Sequence, residues 1–174
     1  IGINDLMELL SSFGTMCEEP ETGEFTCGDP INYHGYDYAT VQIGEQCWFA
    51  ENLRTELYQN GDAIPLVVND IDWDNIDGDA ARCSAAPNAH PTAGQLYTFF
   101  VVSDERGVCP SDWHVPSHEE WIVLELDLGL DPGELENWGE SRGNLGLKMK
   151  SCLEWNGDCS MQSGFNAVYS SIRP

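Results

Sequence analysis

Val115-Pro116-Ser117-His118-Glu119-Glu120-Trp121 leaves its part of the chain little choice of local structure. Proline drives the residue before it out of the helical region, so Val115 is extended and a helix starts afresh after Pro116. Ser117 accepts from the backbone N–H three residues on, and Glu120 reaches back to the N–H of Ser117, which is a capping box. Glu119 and Glu120 also sit at the positive end of the helix dipole. Trp121, Leu124 and Leu128 follow at i, i+3 and i+7 and predict one apolar stripe facing a core. Gly129 is placed to stop the helix. Cys109-Pro110-Ser111-Asp112-Trp113-His114 leads into this unit as an extended segment. The stretch specifies a fold rather than a reaction.

Charge bounds the partners. The 174 residues carry 30 acids against 7 bases, a formal −23. Nucleic acid and anionic membrane both need a basic footprint, so neither is an expected partner. Calcium, cationic surfaces or a high-salt medium fit the charge better. Six Trp, six Tyr and six Phe argue for a packed core despite the acidity. No stretch approaches 18 apolar residues, so no membrane insertion is expected. The sequence opens on Ile1 and reads as the inner part of a longer precursor. Seven cysteines with almost no CxxC spacing read as disulfides rather than zinc ligands, which implies an extracellular or cell-surface setting. Seven is odd, so one is left over.

In chain order, three regions emerge: residues 1–16, an acidic linker at 17–32, and the main domain at 33–174. Ile1 to Leu10 resembles the second half of a dockerin-type calcium loop with its following helix. That resemblance makes Asp5 the closing ligand and Leu6, Leu9, Leu10 and Phe13 the packed face; an ordinary amphipathic helix is the alternative. The linker, with Glu18, Glu19, Glu21 and Glu24 around Pro20 and Gly23, is a solvated turn-rich run. A strand is then expected over Tyr38–Ile43, with Ala39, Val41 and Ile43 on one face. Gly44-Glu45 reads as a tight turn and Gln46–Ala50 as the returning strand.

Tyr38-Ala39-Thr40-Val41-Gln42-Ile43-Gly44-Glu45-Gln46-Cys47-Trp48-Phe49-Ala50-Glu51-Asn52-Leu53 resembles the opening motif of the Fibrobacter succinogenes major paralogous domain family. The likeness continues through Asn60-Gly61, Ile64-Pro65, Trp73, Cys83, Gly94-Gln95-Leu96-Tyr97 and Cys109 to Ser117. It resumes at Leu147-Lys148 and Ser163-Gly164-Phe165-Asn166-Ala167, and so spans residues 36–174. The family implies a bacterial secreted or surface protein. Cys47 stands where the family usually has another residue, which implies an added disulfide. The family's closing strands, with a Trp-rich stretch and a final cysteine, are not reached by Pro174, so the domain is expected to be incomplete.

The segment from Val115 to Trp121 is also similar to one in formylglycine-generating enzymes and C-type-lectin-like domains. That similarity implies an α+β fold: a compact irregular domain of short antiparallel strands, two helices and long disulfide-tied loops. Tyr97 to Val102 has strand propensity, but Leu96, Phe99 and Phe100 also fit helical spacing, and the resemblance favours a first helix over Leu96–Val102. The expected pairings are Cys27–Cys47, Cys83–Cys109 and Cys152–Cys159, with Cys17 left over. Cys152 and Cys159 flank a short turn-rich segment.

Chemistry-bearing patterns are sparse. His114 and His118 lie four apart, but Pro116 between them breaks the helix face that a zinc pair needs. His34 and His90 complete the histidines. No G-x-S-x-G, phosphate loop or H-E-x-x-H occurs, and the catalytic cysteines of formylglycine-generating enzymes belong to the end of that fold. Asp70, Asp72, Asp74, Asp77 and Asp79 concentrate five carboxylates in ten residues. They form a candidate calcium loop, with a solvated acidic loop anchored by Trp73 as the alternative. The reading is a non-catalytic extracellular binding or adhesion module for polysaccharide or a protein partner. The second reading is a structural subunit of a filament or matrix, self-assembled through calcium or an open sheet edge.

Overall fold

The computed structural model describes residues 25–68, 72–73, 76, 78–84, 93–136, 144–150 and 163–167. They form an α+β arrangement of three short antiparallel strand pairs and a few helices. β1 (Ile31–Tyr33) pairs with β2 (Tyr36–Tyr38), β3 (Thr40–Ile43) with β4 (Gln46–Phe49), and β5 (Arg82–Ser84) with β6 (Gln95–Tyr97). Pro65–Val67 runs beside β5, with Arg82 N–H bonded to the Pro65 carbonyl and Val67 N–H to the Arg82 carbonyl, both at 2.8 Å. No helix among the described residues is long and apolar enough to cross a membrane.

α2 (His118–Asp127) follows α1 (Phe99–Val102) and behaves as its sequence dictates. Glu120 N–H donates to Ser117 Oγ at 3.2 Å, and Ser117 N–H donates to Glu120 Oε2 at 2.7 Å. The helix ends in a Schellman motif. Gly129, at φ +90°, gives its N–H to Leu126, and Leu130 N–H reaches the carbonyl of Glu125, both at 2.9 Å. The Leu128 carbonyl is taken by Lys148 Nζ from α3 (Leu145–Met149). Leu124, fully buried, Leu128 and half-buried Trp121 pack with Ile43, Trp48, Leu130 and Leu145 in the first core cluster. Phe165 closes it, 5.8 Å from Trp48 and 6.0 Å from Trp121 between ring centroids. A second cluster, of Tyr58, Ile64, Val101 and Val108, packs with Leu53, Ala80, Tyr97 and Cys109.

Three expectations of local structure need correction. The lead-in from Cys109 to His114 is not extended throughout: Trp113 N–H closes a turn on the Pro110 carbonyl at 3.1 Å, with Asp112 at φ 67°. The strand read over Tyr38–Ile43 is divided at Ala39: Tyr38 ends β2, and Thr40 starts β3 with a new partner. Tyr38 and Thr40 are buried while Ala39 is exposed, and the alternation changes phase only after Thr40, so that Ile43 is buried as well. Buried Thr40 is satisfied locally, its Oγ1 donating to the Asp29 carbonyl and accepting from Gly28 N–H, both at 2.8 Å. The helix expected over Leu96–Val102 is likewise half strand. Gln95–Tyr97 pairs with β5, and only Phe99–Val102 turns. In that turn Val101 is buried and Phe99 is 73% exposed, so Leu96, Phe99 and Phe100 form no buried stripe.

Cys27 and Cys47 are joined as expected, with Cα atoms 5.8 Å apart. Cys83 and Cys109 are thiols, so the bridge expected between them is absent. Cys83 sits opposite Leu96 inside the β5–β6 pair, whereas Cys109 packs against the second cluster. Cys17, Cys152 and Cys159, and the helix at 1–16, lie outside the described residues.

Candidate functional site

The β1–β2 hairpin turns through His34 and Gly35, both at positive φ (51° and 81°). Such two-residue turns match the twist of the flanking strands. The hairpin lays Tyr33, Tyr36 and Tyr38 against the segment that leaves β4. Arg54 N–H donates to Tyr38 Oη at 3.1 Å, and Tyr97 Oη donates to the Thr55 carbonyl at 2.8 Å. Between hairpin and segment lies a concavity of about 300 Å³, walled by Tyr33, His34, Tyr36, Tyr38, Arg54 and Thr55.

Its polar wall is held in place. The Arg54 guanidinium lies 3.8 Å from the Tyr36 ring centroid and bonds Glu51 at 2.9 Å. Tyr36 Oη donates to the same Glu51 carboxylate at 2.7 Å, which raises the pKa of its phenol. The imidazole of His34 stacks on Tyr33 with centroids 3.9 Å apart. Its Nδ1 is 2.7 Å from Thr55 Oγ1. Partial burial holds its pKa below the usual imidazole value. Tyr33 is 8% exposed, and its hydroxyl has no hydrogen-bond partner among the described residues. Burial, with the nearby Cys109 thiol, pushes Tyr33 up to about 12.

A second concavity, of about 500 Å³, lies between Gln59, Val108, Cys109, Trp113, His114 and Pro116. Two of its polar side chains are already engaged. His114 Nε2 bonds Glu120 at 2.7 Å, and Gln59 donates to the Cys109 carbonyl at 3.1 Å. Burial pushes the Cys109 thiol up to about 11. This is a structural environment, not that of an activated nucleophile.

Of the residues singled out as calcium ligands, only Asp72 and Asp79 are among the described residues, and neither lines either concavity. Asp72 and Asp79 are exposed, and the backbone carbonyl of Asp79 accepts from Thr98 Oγ1 at 3.0 Å. Asp5, Asp70, Asp74 and Asp77 lie outside the described residues. Among the described residues no three His, Cys, Asp or Glu side chains are grouped to hold a metal ion. Sequence reasoning missed Tyr33, His34, Tyr36 and Arg54. The signal was present in Tyr33-His34-Gly35-Tyr36-Asp37-Tyr38, where an X-Gly pair sits between alternating aromatics.

No curated protein and no solved structure matches this chain. The family described as the Fibrobacter succinogenes major domain matches residues 41–173. That span includes α2, with its capping box, and the Leu147-Lys148 and Ser163–Ala167 blocks. The structure joins these blocks through Lys148 on Leu128, Ser163 Oγ on the Lys148 carbonyl at 2.6 Å, and Ala167 N–H on Met149 at 2.8 Å. The chain belongs to the Fibrobacter succinogenes major domain family.

Proposed function

We propose that this chain is a non-catalytic binding module that holds a polysaccharide in the concavity between the β1–β2 hairpin and residues 54–57, at the cell surface or outside the cell. The supporting observation is the wall in which Arg54, Tyr36 and Glu51 bind one another beside an aromatic floor. A sugar ring has an apolar C–H face and a polar rim. Tyrosines present an apolar body with a polar tip, which matches both. A wall fixed in advance loses little freedom when a ligand arrives. The volume lies at the lower end for small-ligand sites, about 300–1,000 Å³, which suits one or two sugar units of a longer chain. The charges around it, Arg54 with Glu51 and Arg82 with Glu56, are paired off, which favours a neutral glycan over an acidic one. A C-type-lectin-like or formylglycine-generating-enzyme-like architecture would be consistent with this role and forms part of the proposal.

An array of neutral and acidic oligosaccharides, followed by titration calorimetry on the full chain, tests the reading. Binding to a neutral member that falls at least about tenfold (1.4 kcal/mol) in Tyr36→Ala and Arg54→Ala is expected. No binding by a folded chain, or binding indifferent to both substitutions, overturns it.

A further inference from the structure

Hydrogen-bond accounting around Thr55 assigns the tautomer of His34. Thr55 Oγ1 lies 2.9 Å from the Leu57 carbonyl, 3.2 Å from the Leu57 N–H and 2.7 Å from His34 Nδ1. A hydroxyl has one proton and two lone pairs. The carbonyl can only accept, so the proton belongs to it. The N–H can only donate, so it takes one lone pair. The other lone pair faces Nδ1, which must therefore bring a proton of its own. The opposite tautomer would turn the hydroxyl proton to Nδ1 and leave two oxygens 2.9 Å apart with no proton between them. With its proton on Nδ1, a neutral imidazole keeps Nε2 as a bare acceptor.

His34 is exposed at the tip of the hairpin, and its ring is fixed on one face by Tyr33 and at one edge by Thr55. Resting on the binding role proposed above, we infer that His34 is a specificity residue whose Nε2 accepts a hydrogen bond from a hydroxyl of a neutral saccharide, and that protonation of this ring weakens the site. Two effects act together on acidification. Nε2 becomes a donor, so the sugar hydroxyl must reverse and lose the bond it gave. The ligand would also cover a charged ring, which requires stripping water from an ion. The other titratable and charged groups lining the concavity with the ring are Tyr33 on β1, Tyr36 and Tyr38 on β2, and Arg54 and Glu56 on the facing segment, with Glu51 bonded to Arg54. Because burial lowers the pKa of His34, the acceptor form prevails at neutral pH, and the loss falls on the acid side of ordinary imidazole titration.

The first arm of the test needs no ligand. Long-range ¹H–¹⁵N NMR of the imidazoles in the full chain is expected to show His34 as the Nδ1–H tautomer, and Thr55→Val is expected to remove that preference. In the second arm, cellohexaose, xylohexaose and mannohexaose are titrated by calorimetry well above and well below the His34 midpoint that NMR gives. At least one is expected to bind at the higher pH and to lose about tenfold (1.4 kcal/mol) at the lower. His34→Gln, which keeps an acceptor but does not titrate, is expected to bind equally at both. An Nε2–H tautomer, or binding that ignores the midpoint, overturns the His34 assignment while leaving the binding role intact. No binding of any of the three at either pH overturns the neutral-saccharide assignment whatever the tautomer; retention of an acidic oligosaccharide in the array would then preserve the module reading alone.

Discussion

Replacing Cys27 and Cys47 together by serine removes the one disulfide found among the described residues and opens the loop it closes, with a sequence separation of 20. In the chain-entropy account the gain is the loop freedom denied to the unfolded chain, about 2.1 + 1.5R ln n cal/mol/K. For n of 20 this gives about 11 cal/mol/K, or about 3 kcal/mol at 25 °C. The folded side should change little. The arm before β1 is also held by Thr40 Oγ1 on the Asp29 carbonyl and by Gly28 N–H on Thr40, both at 2.8 Å. The expected result under non-reducing conditions is a stability loss of about 3 kcal/mol, and a melting temperature lower by roughly 6–12 °C for a chain of this length. Urea unfolding followed by tryptophan fluorescence, with calorimetry alongside, measures both. A loss below about 1 kcal/mol, or a native spectrum altered before unfolding begins, would refute the account.

Ser117→Ala should cost about 1 kcal/mol through the lost cap, and Trp121→Ala about 3 kcal/mol, the lower end for a large aromatic because the side chain is half-buried; equal small losses in chemical unfolding would refute the packing of Trp121 on Trp48. Cys109, held near 11 against an ordinary 9.0, and Tyr33, held near 12 against 10.0, have folded pKa values above their unfolded ones. Their stabilising contribution is therefore full below about pH 9 and is lost as pH rises toward 11 and 12, which alkaline unfolding curves of Cys109→Ala and Tyr33→Phe should show as a flatter decline. We further propose that calcium stabilises the chain, by about 2.7 kcal/mol at a hundredfold excess over its dissociation constant, and so raises the melting temperature at constant ionic strength. Asp72→Asn with Asp74→Asn should abolish most of that rise, and melting indifferent to millimolar calcium would sink the idea.

What the sequence disclosed was what neighbours in the chain decide. Pro116, Ser117 and Glu120 settle the start of α2 within five residues, and Gly129 settles its end. The Gly44-Glu45 turn announces β3 and β4 in the same way. The break at Ala39 was hidden because Tyr38 and Val41 both suit strands, and only pairing partners distinguish the two sheets. Leu96–Val102 held both strand and helix signals, and the structure divides it, with a strand that ends at Tyr97 and a helical turn over Phe99–Val102. Cys47 stood out as a departure from the family pattern and is joined to Cys27, yet nothing in the chain revealed that Cys83 would be enclosed opposite Leu96, since bridging depends on the distance and direction of two Cβ atoms. The concavity was least legible. It exists because Arg54 and Thr55 return to meet Tyr38 and His34, a contact between segments 16 and 21 residues apart.

Tyr33, His34, Tyr36 and Tyr38 all lie between Cys27 and Cys47, inside the covalent loop. Tension applied along the chain from either side passes from one sulfur to the other and bypasses the backbone between them. The backbone of β1, β2 and β3 therefore carries no tension directly, and force reaches β3 only through its pairing with Trp48 and Phe49 beyond Cys47. Arg54 and Thr55, on the far wall, stand beyond Cys47 and do bear it. Pulling the chain would thus draw the wall away from an intact aromatic floor, so a ligand held between them would be released by parting two surfaces rather than by unravelling the hairpin.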